Sequence, residues 1–105
     1  MSSSASALSD IRSRIDQLDQ AIIQLLARRQ SAVDDIAAVK EKKNDDIRDR
    51  DRECELMDRL RDIARDNDLS EDLIDDLYAS IIEHSVDRQK DRRDDARPSR
   101  LRKVG

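Results

Sequence analysis

Apolar residues recur at positions 8, 11, 15, 18, 22 and 25, then again at 32, 36 and 39. The steps alternate between three and four, which is one face of an α-helix held for more than four heptads. The stripe consists of Leu8, Ile11, Ile15, Leu18, Ile22, Leu25, Ala32, Ile36 and Val39, and Arg29 stands in the same phase where another Leu would fit. A helix over residues 8–39 is about 50 Å long at about 1.5 Å per residue. A small domain is only about 30 Å across, so the rest of the chain is too short to cover such a stripe. The pattern therefore predicts a partner for this helix, and a second copy related by two-fold symmetry is the simplest one. A guanidinium in a buried stripe is costly unless an anion meets it, so Arg29 marks a place where an anion is expected.

The remaining sequence supports an all-α chain. One Gly and one Pro occur in 105 residues, Gly105 and Pro98, so nothing before Arg97 carries the usual turn punctuation. Charged residues make up 44% and aromatic residues 1%, so the core must be aliphatic. Such a charge load can signal disorder, but apolar positions this periodic argue for folding. The net charge of −4 gives no electrostatic reason to expect a nucleic-acid partner. The longest apolar run is four residues, 36–39, which neither spans a membrane nor forms the apolar region of a signal peptide. A cytoplasmic location is the resulting expectation. Cys54 and His84 are each the single residue of their type, which leaves no disulfide framework and no Cys-based metal site. Cys54 is expected to be a small buried hydrophobe and His84 a surface residue.

Two shorter helices follow. The polar stretch 41–46, with Asn44 its best turn signal, separates the first from a second over residues 48–66. The inward set of the second is Leu56, Met57, Leu60, Ile63 and Ala64, and one turn back from Leu56 and Met57 lies Glu53, an acid in the core phase. A second break at 67–70 ends in Ser70, a good N-cap, with Glu71 and Asp72 suited to the first turn of a third helix that runs to residue 92. Its stripe is Ile74, Leu77, Tyr78, Ile81 and Ile82, and it continues into Ser85 and Gln89. On the first helix, Lys40 lies eleven residues after Arg29 and returns to nearly its face, with Arg12 beside the stripe near the start. Residues 1–7 read as a flexible lead, 8–93 as the helical domain and 94–105 as a disordered basic tail.

Each polar position has a plain structural account. Arg side chains snorkel out of cores; Ser85 can bond a carbonyl one turn back; Arg52 and Glu53 sit in a charge run that is normally a wet face. Jointly, three helices offer cations, an acid, a hydroxyl and an amide toward one interior, which describes a polar pocket in a bundle. The sequence contains no convincing nucleophile–base pair, metal cluster or Gly-rich phosphate loop. Such a pocket suits a small anion with more than one carboxylate, and an enzyme built on it would act by positioning and electrostatics.

Three segments together resemble a known family. Ile11, Arg12, Ile15, Asp16, Gln17, Leu18 and Asp19, then residues 22–26, Arg28, Arg29, Val39 and Lys40, resemble the first helix of the all-helical bacterial-type chorismate mutases. Residues 48–53 (RDRDRE) resemble the start of that family's second helix, and Ile81, Ile82, Glu83, His84, Ser85, Val86 and Gln89 its third-helix signature.

The resemblance implies an intertwined six-helix homodimer, three helices per chain, that isomerises chorismate to prephenate by a Claisen-type [3,3] rearrangement, with no cofactor or metal. It implies two sites per dimer, with Arg12 reaching into the partner's site. Arg29 would bind a substrate carboxylate. Lys40 would contact a carboxylate and the ether oxygen, and Gln89 would donate to the same oxygen. Glu53 would accept from the ring hydroxyl near the Asp49 backbone, and Arg52 and Ser85 would complete the wall. Some relatives are expected to carry a carboxylic acid in place of Gln89; a neutral amide predicts activity that holds through neutral pH. An isochorismate pyruvate-lyase on the same fold and a non-catalytic helical dimerisation module are the alternatives. The short chain leaves no room for a fused catalytic or regulatory domain, so a stand-alone enzyme is expected. Asp outnumbers Glu twenty to five, an odd bias for a helical chain because Asp is the poorer helix former.

Overall fold

The computed structural model describes residues 3–43 and 45–95, which form three helices: α1 (Ser3–Lys43), α2 (Arg50–Asp66) and α3 (Glu71–Asp95). Among the described residues there is no strand. Residues 3–7, expected as a flexible lead, are helical, and α3 continues through Asp94 and Asp95, where the tail was expected to begin. The rest of that tail, residues 96–105, lies outside the described residues, as does Asn44. No described helix is long and apolar enough to cross a membrane.

The helix ends follow local chemistry. Lys40, Lys42 and Lys43 occupy the last turn of α1, where cations meet the negative end of the helix dipole. The Asp45 N–H donates to the Lys40 carbonyl at 2.8 Å and closes that end. Asp49 caps α2: its backbone is extended (φ −122°, ψ 98°) and its Oδ1 accepts from the Arg52 N–H at 3.0 Å. The sequence pattern had started this helix at residue 48; the cap moves the start to Arg50.

At the other end of α2, Leu69 N–H donates to the Ala64 carbonyl at 2.8 Å and Asp68 N–H to the Arg65 carbonyl at 3.2 Å. This pair of bonds is a Schellman motif, and it places Asp68 at φ 56°, the left-handed position that usually selects Gly. The chain has no Gly to offer there, and Asp tolerates this region better than most residues. Ser70 then caps α3 as its position suggested, with Oγ accepting from the Leu73 N–H at 3.3 Å.

The chain divides into two units, 1–32 and 33–105. In the first, helix α1 leaves its stripe uncovered: Leu8, Ile11, Ile15, Leu18, Ile22 and Leu25 are all exposed, Leu18 by 61%. Within the second, α2 and α3 pack against each other. Ala64 and Val86 are buried, Leu56, Met57, Leu60, Ile74, Tyr78, Ile81 and Ile82 are half-buried, and Ile63 and Leu77 remain exposed. Ion pairs Arg61–Asp75 (2.8 Å) and Arg65–Glu71 (3.2 Å) cross between the two helices.

The stretch of α1 in this second unit buries a different face from the one the periodicity selects. Val33 and Ala37 are buried and Lys40 is half-buried, whereas Ile36 and Val39, members of the stripe, stay exposed. The inward face is displaced by one residue from the 32, 36, 39 phase. On this displaced face Lys40 and Asp34 meet partners on α3. Arg88 of α3 holds this contact from outside: its Nε and Nη2 meet both oxygens of Asp34 at 2.7 and 2.9 Å.

Candidate active site

The centre of the site is the contact between the end of α1 and α3. Lys40 Nζ donates to Gln89 Oε1 at 3.3 Å and also to the backbone carbonyl of Ile47. Gln89 is 8% exposed. A lysine ammonium has three donors and no acceptor, so its neighbour must be the amide oxygen of Gln89. This sets the orientation of the amide: Nε2, with its two protons, faces away from Lys40. Lys40 itself has one proton beyond those given to Gln89 and Ile47. The result is two adjacent N–H donors on different helices, one of them cationic.

The acid of the site is already engaged. Glu53 is 19% exposed, and its Oε1 accepts from Arg48 Nη2 at 2.9 Å, with Arg50 Nη1 3.7 Å from the same oxygen. Arg48 also donates through Nη1 to Glu83 Oε1 on α3 at 2.8 Å. These two carboxylates, Glu83 first and Glu53 second, hold the Arg48 guanidinium above its usual pKa, and Arg48 in turn holds the Glu83 carboxyl below the usual range. Arg48 Nε is buried without a hydrogen-bond partner among the described residues, so the two Nη arms alone set the direction of the fork.

Two open pockets flank this arrangement. One, about 390 Å³, is lined by Lys40, Arg48, Asp49 and Arg50 among others. The other, about 480 Å³, lies between α2 and α3 and takes in Glu53, Met57, Ile82 and Glu83. Arg48 lines both.

Of the residues singled out by sequence, the structure brings together Lys40 and Gln89 and places Glu53 within reach of a cation on its own helix's lead-in. Ser85 is half-buried and its Oγ donates to the Ile81 carbonyl at 2.9 Å, the local bond open to any helical serine. Asp49 uses its side chain as the α2 cap, and Arg52 is exposed beside it. In the first unit, Arg12 is exposed and Arg29 half-buried, with its neighbour Arg28 exposed, as the stripe phase indicated. Cys54 is exposed, against the expectation of a buried thiol, because its position on α2 falls between the inward residues Glu53 and Leu56. His84 is exposed. Among the described residues no group of His, Cys, Asp and Glu is arranged to hold a metal ion.

Sequence reasoning missed Arg48, treating it only as the start of a helix. The available signal was a basic residue five positions before a core-phase acid, with a second acid, Glu83, inside the third-helix motif. It also missed the Ile47 carbonyl that holds Lys40, because backbone acceptors leave no trace in residue type.

Lys40 of α1 and Gln89 of α3 set an ammonium and an amide side by side in an all-helical protein. Residues 11–90 match the family described as chorismate mutase type II, and the chain belongs to that family. It is similar to a chorismate mutase of Methanocaldococcus jannaschii, 37% identical over 57 residues. That match covers 54% of this chain and 58% of the relative. No solved structure matches the chain.

Proposed function

We propose that the chain is a chorismate mutase, converting chorismate to prephenate, and that it works as a cytoplasmic homodimer. The observation that carries this reading is the Lys40–Gln89 pair, 3.3 Å apart in a chain of this family. As the C–O bond of the substrate breaks, negative charge grows on the ether oxygen. Lys40 and the Gln89 Nε2 amide are donors suited to that oxygen, and preorganised donors act most strongly where charge develops. Arg29 binds one substrate carboxylate and Lys40 contacts a carboxylate as well as the ether oxygen. Glu53 accepts from the ring hydroxyl beside the Asp49 backbone, and Arg52 and Ser85 complete the polar wall. Arg12 comes from the second copy.

Two observations support the dimer. The stripe from Leu8 to Leu25 is exposed in the single chain, and an apolar face of that length on an otherwise charged helix marks an interaction surface. A second copy presents the same stripe, so a two-fold interface buries both at once.

The test is loss of chorismate absorbance with the purified protein, beside Arg29→Ala matched for helicity and mass, with isochorismate assayed in parallel. Turnover of chorismate by the wild type and a loss of about 100-fold or more in the variant is the expected result. Pyruvate release from isochorismate alone would assign the lyase activity, and a folded dimer that turns over neither compound would make it a binding module.

A further inference from the structure

We propose that Arg48 is a positioning residue for this reaction: it grips Glu53 through one carboxylate oxygen and so presents the other to the substrate hydroxyl. The inference rests on the role of Glu53 given above. Both cations that approach Glu53 do so at Oε1, Arg48 Nη2 at 2.9 Å and Arg50 Nη1 at 3.7 Å. Among the described residues the Arg48–Glu53 hydrogen bond goes to Oε1, and neither guanidinium donates a hydrogen bond to Oε2. A carboxylate held at one oxygen by a guanidinium loses its freedom to rotate, and its second oxygen becomes a fixed acceptor.

The second arm of Arg48 explains why this grip is directional. Nη1 is bound to Glu83 Oε1 at 2.8 Å, thirty-five residues away on α3. The guanidinium is planar, so two carboxylates on two helices fix both its position and its plane. Arg48, together with Arg50, lines both pockets, with Lys40 on the wall of one and Glu53 on the wall of the other. It therefore relates the acceptor for the hydroxyl to the donor for the ether oxygen. Lys at this position could supply the charge but not both bonds in one plane.

A merely structural Arg48 would staple α2 to α3 and do nothing more. The two roles separate when turnover is measured with chorismate and with an analogue lacking the ring hydroxyl. For the wild type, removing the hydroxyl is expected to cost about 10- to 100-fold in kcat/KM, the worth of a hydrogen bond to a charged group. Arg48→Met is expected to lose a similar factor with chorismate and to become nearly indifferent to the hydroxyl. Glu83→Gln keeps an acceptor for Nη1 and is expected to discriminate as the wild type does. Helicity and melting temperature are measured for every variant. Should Arg48→Met fail to fold, Arg48→Lys serves: reduced discrimination supports the proposal. An active wild type alongside a folded Arg48 variant of undiminished discrimination overturns the positioning role and leaves the function standing. A wild type that turns over neither compound overturns the function, and this role with it.

Discussion

Lys40 Nζ and Gln89 Oε1 face each other at 3.3 Å across α1 and α3, and this contact orients the buried amide. Because the ammonium can only donate, Gln89 presents its N–H groups to the other side. The pair turns a residue that could point either way into a directed donor.

Gln89→Glu tests this directly. The new carboxylate would lie beside Lys40, which favours the ionised, acceptor-only form. At neutral pH the variant should lose about 10²–10³ in kcat, and it should recover as the pH falls and the carboxyl gains a proton. The wild type, with an amide, should hold its turnover between about pH 5 and about pH 7.5. The measurement is kcat against pH for both proteins, with circular dichroism to confirm folding. A pH-independent loss in the variant would remove the donor role from position 89.

Asp34 and Arg88 give a stability prediction with a definite sign. The two hydrogen bonds from Arg88 hold the Asp34 carboxyl below its usual range. A depressed folded pKa contributes stability above the unfolded value, and that contribution is lost as pH falls through the folded value. Asp34→Asn should therefore lower Tm at pH 7 by a small amount, since Asp34 is only half-buried and Arg88 is exposed. As the pH falls through the folded value and the charge on Asp34 is lost, the two melting curves should converge. A Tm difference that persists in acid would show that packing and not charge is responsible.

Asp68 offers a stabilising substitution. It sits at φ 56° in the Schellman turn after α2, where a side chain with a Cβ is strained. Asp68→Gly removes that strain but adds freedom to the unfolded chain, so a net gain of about 0.5–1 kcal/mol is expected. Urea denaturation measures it, and a destabilised variant would mean that the Asp68 side chain supports the turn.

Leu18 tests the dimer. It is 61% exposed on α1, so Leu18→Asp disturbs little within the chain but places a charge in the shared stripe. Two unpaired carboxylates in that interface should weaken association by about 100-fold or more. Light scattering would then report a monomer at concentrations where the proposed wild-type dimer is detected, and activity should fall with it if Arg12 serves the partner's site as proposed. Retention of dimer mass would place the interface elsewhere.

Several features were legible in the sequence because they are local. The helix starts and stops near Asp49, Asn67 and Ser70 follow from side chains that bond the nearest backbone, and such bonds need no distant partner. Much of the core phase of α2 and α3 was legible for the same reason: Leu56, Leu60, Ile74, Tyr78 and Ile81 repeat at helical spacing, although Ile63 and Leu77 of the same sets stay exposed. The presence of Lys40 and Gln89 in core phase near helix ends also showed in the pattern, though not their contact.

What lay beyond the sequence depends on which helix meets which. A long helix carries more than one apolar line, and periodicity counts residues without saying what covers them. In the 33–43 stretch the stripe suggested Ile36 and Val39, but the tertiary structure buried Val33 and Ala37 and brought Lys40 to Gln89. The Arg48–Glu83 bridge joins positions thirty-five apart, and RDRDRE offers three arginines with equal claim to it. Local propensity and spacing determined three helices and a row of polar residues. Only the packing of α2 and α3, together with the extended lead-in to α2, decided which arginine holds Glu53, because ion pairs over such separations are selected by geometry and not by composition.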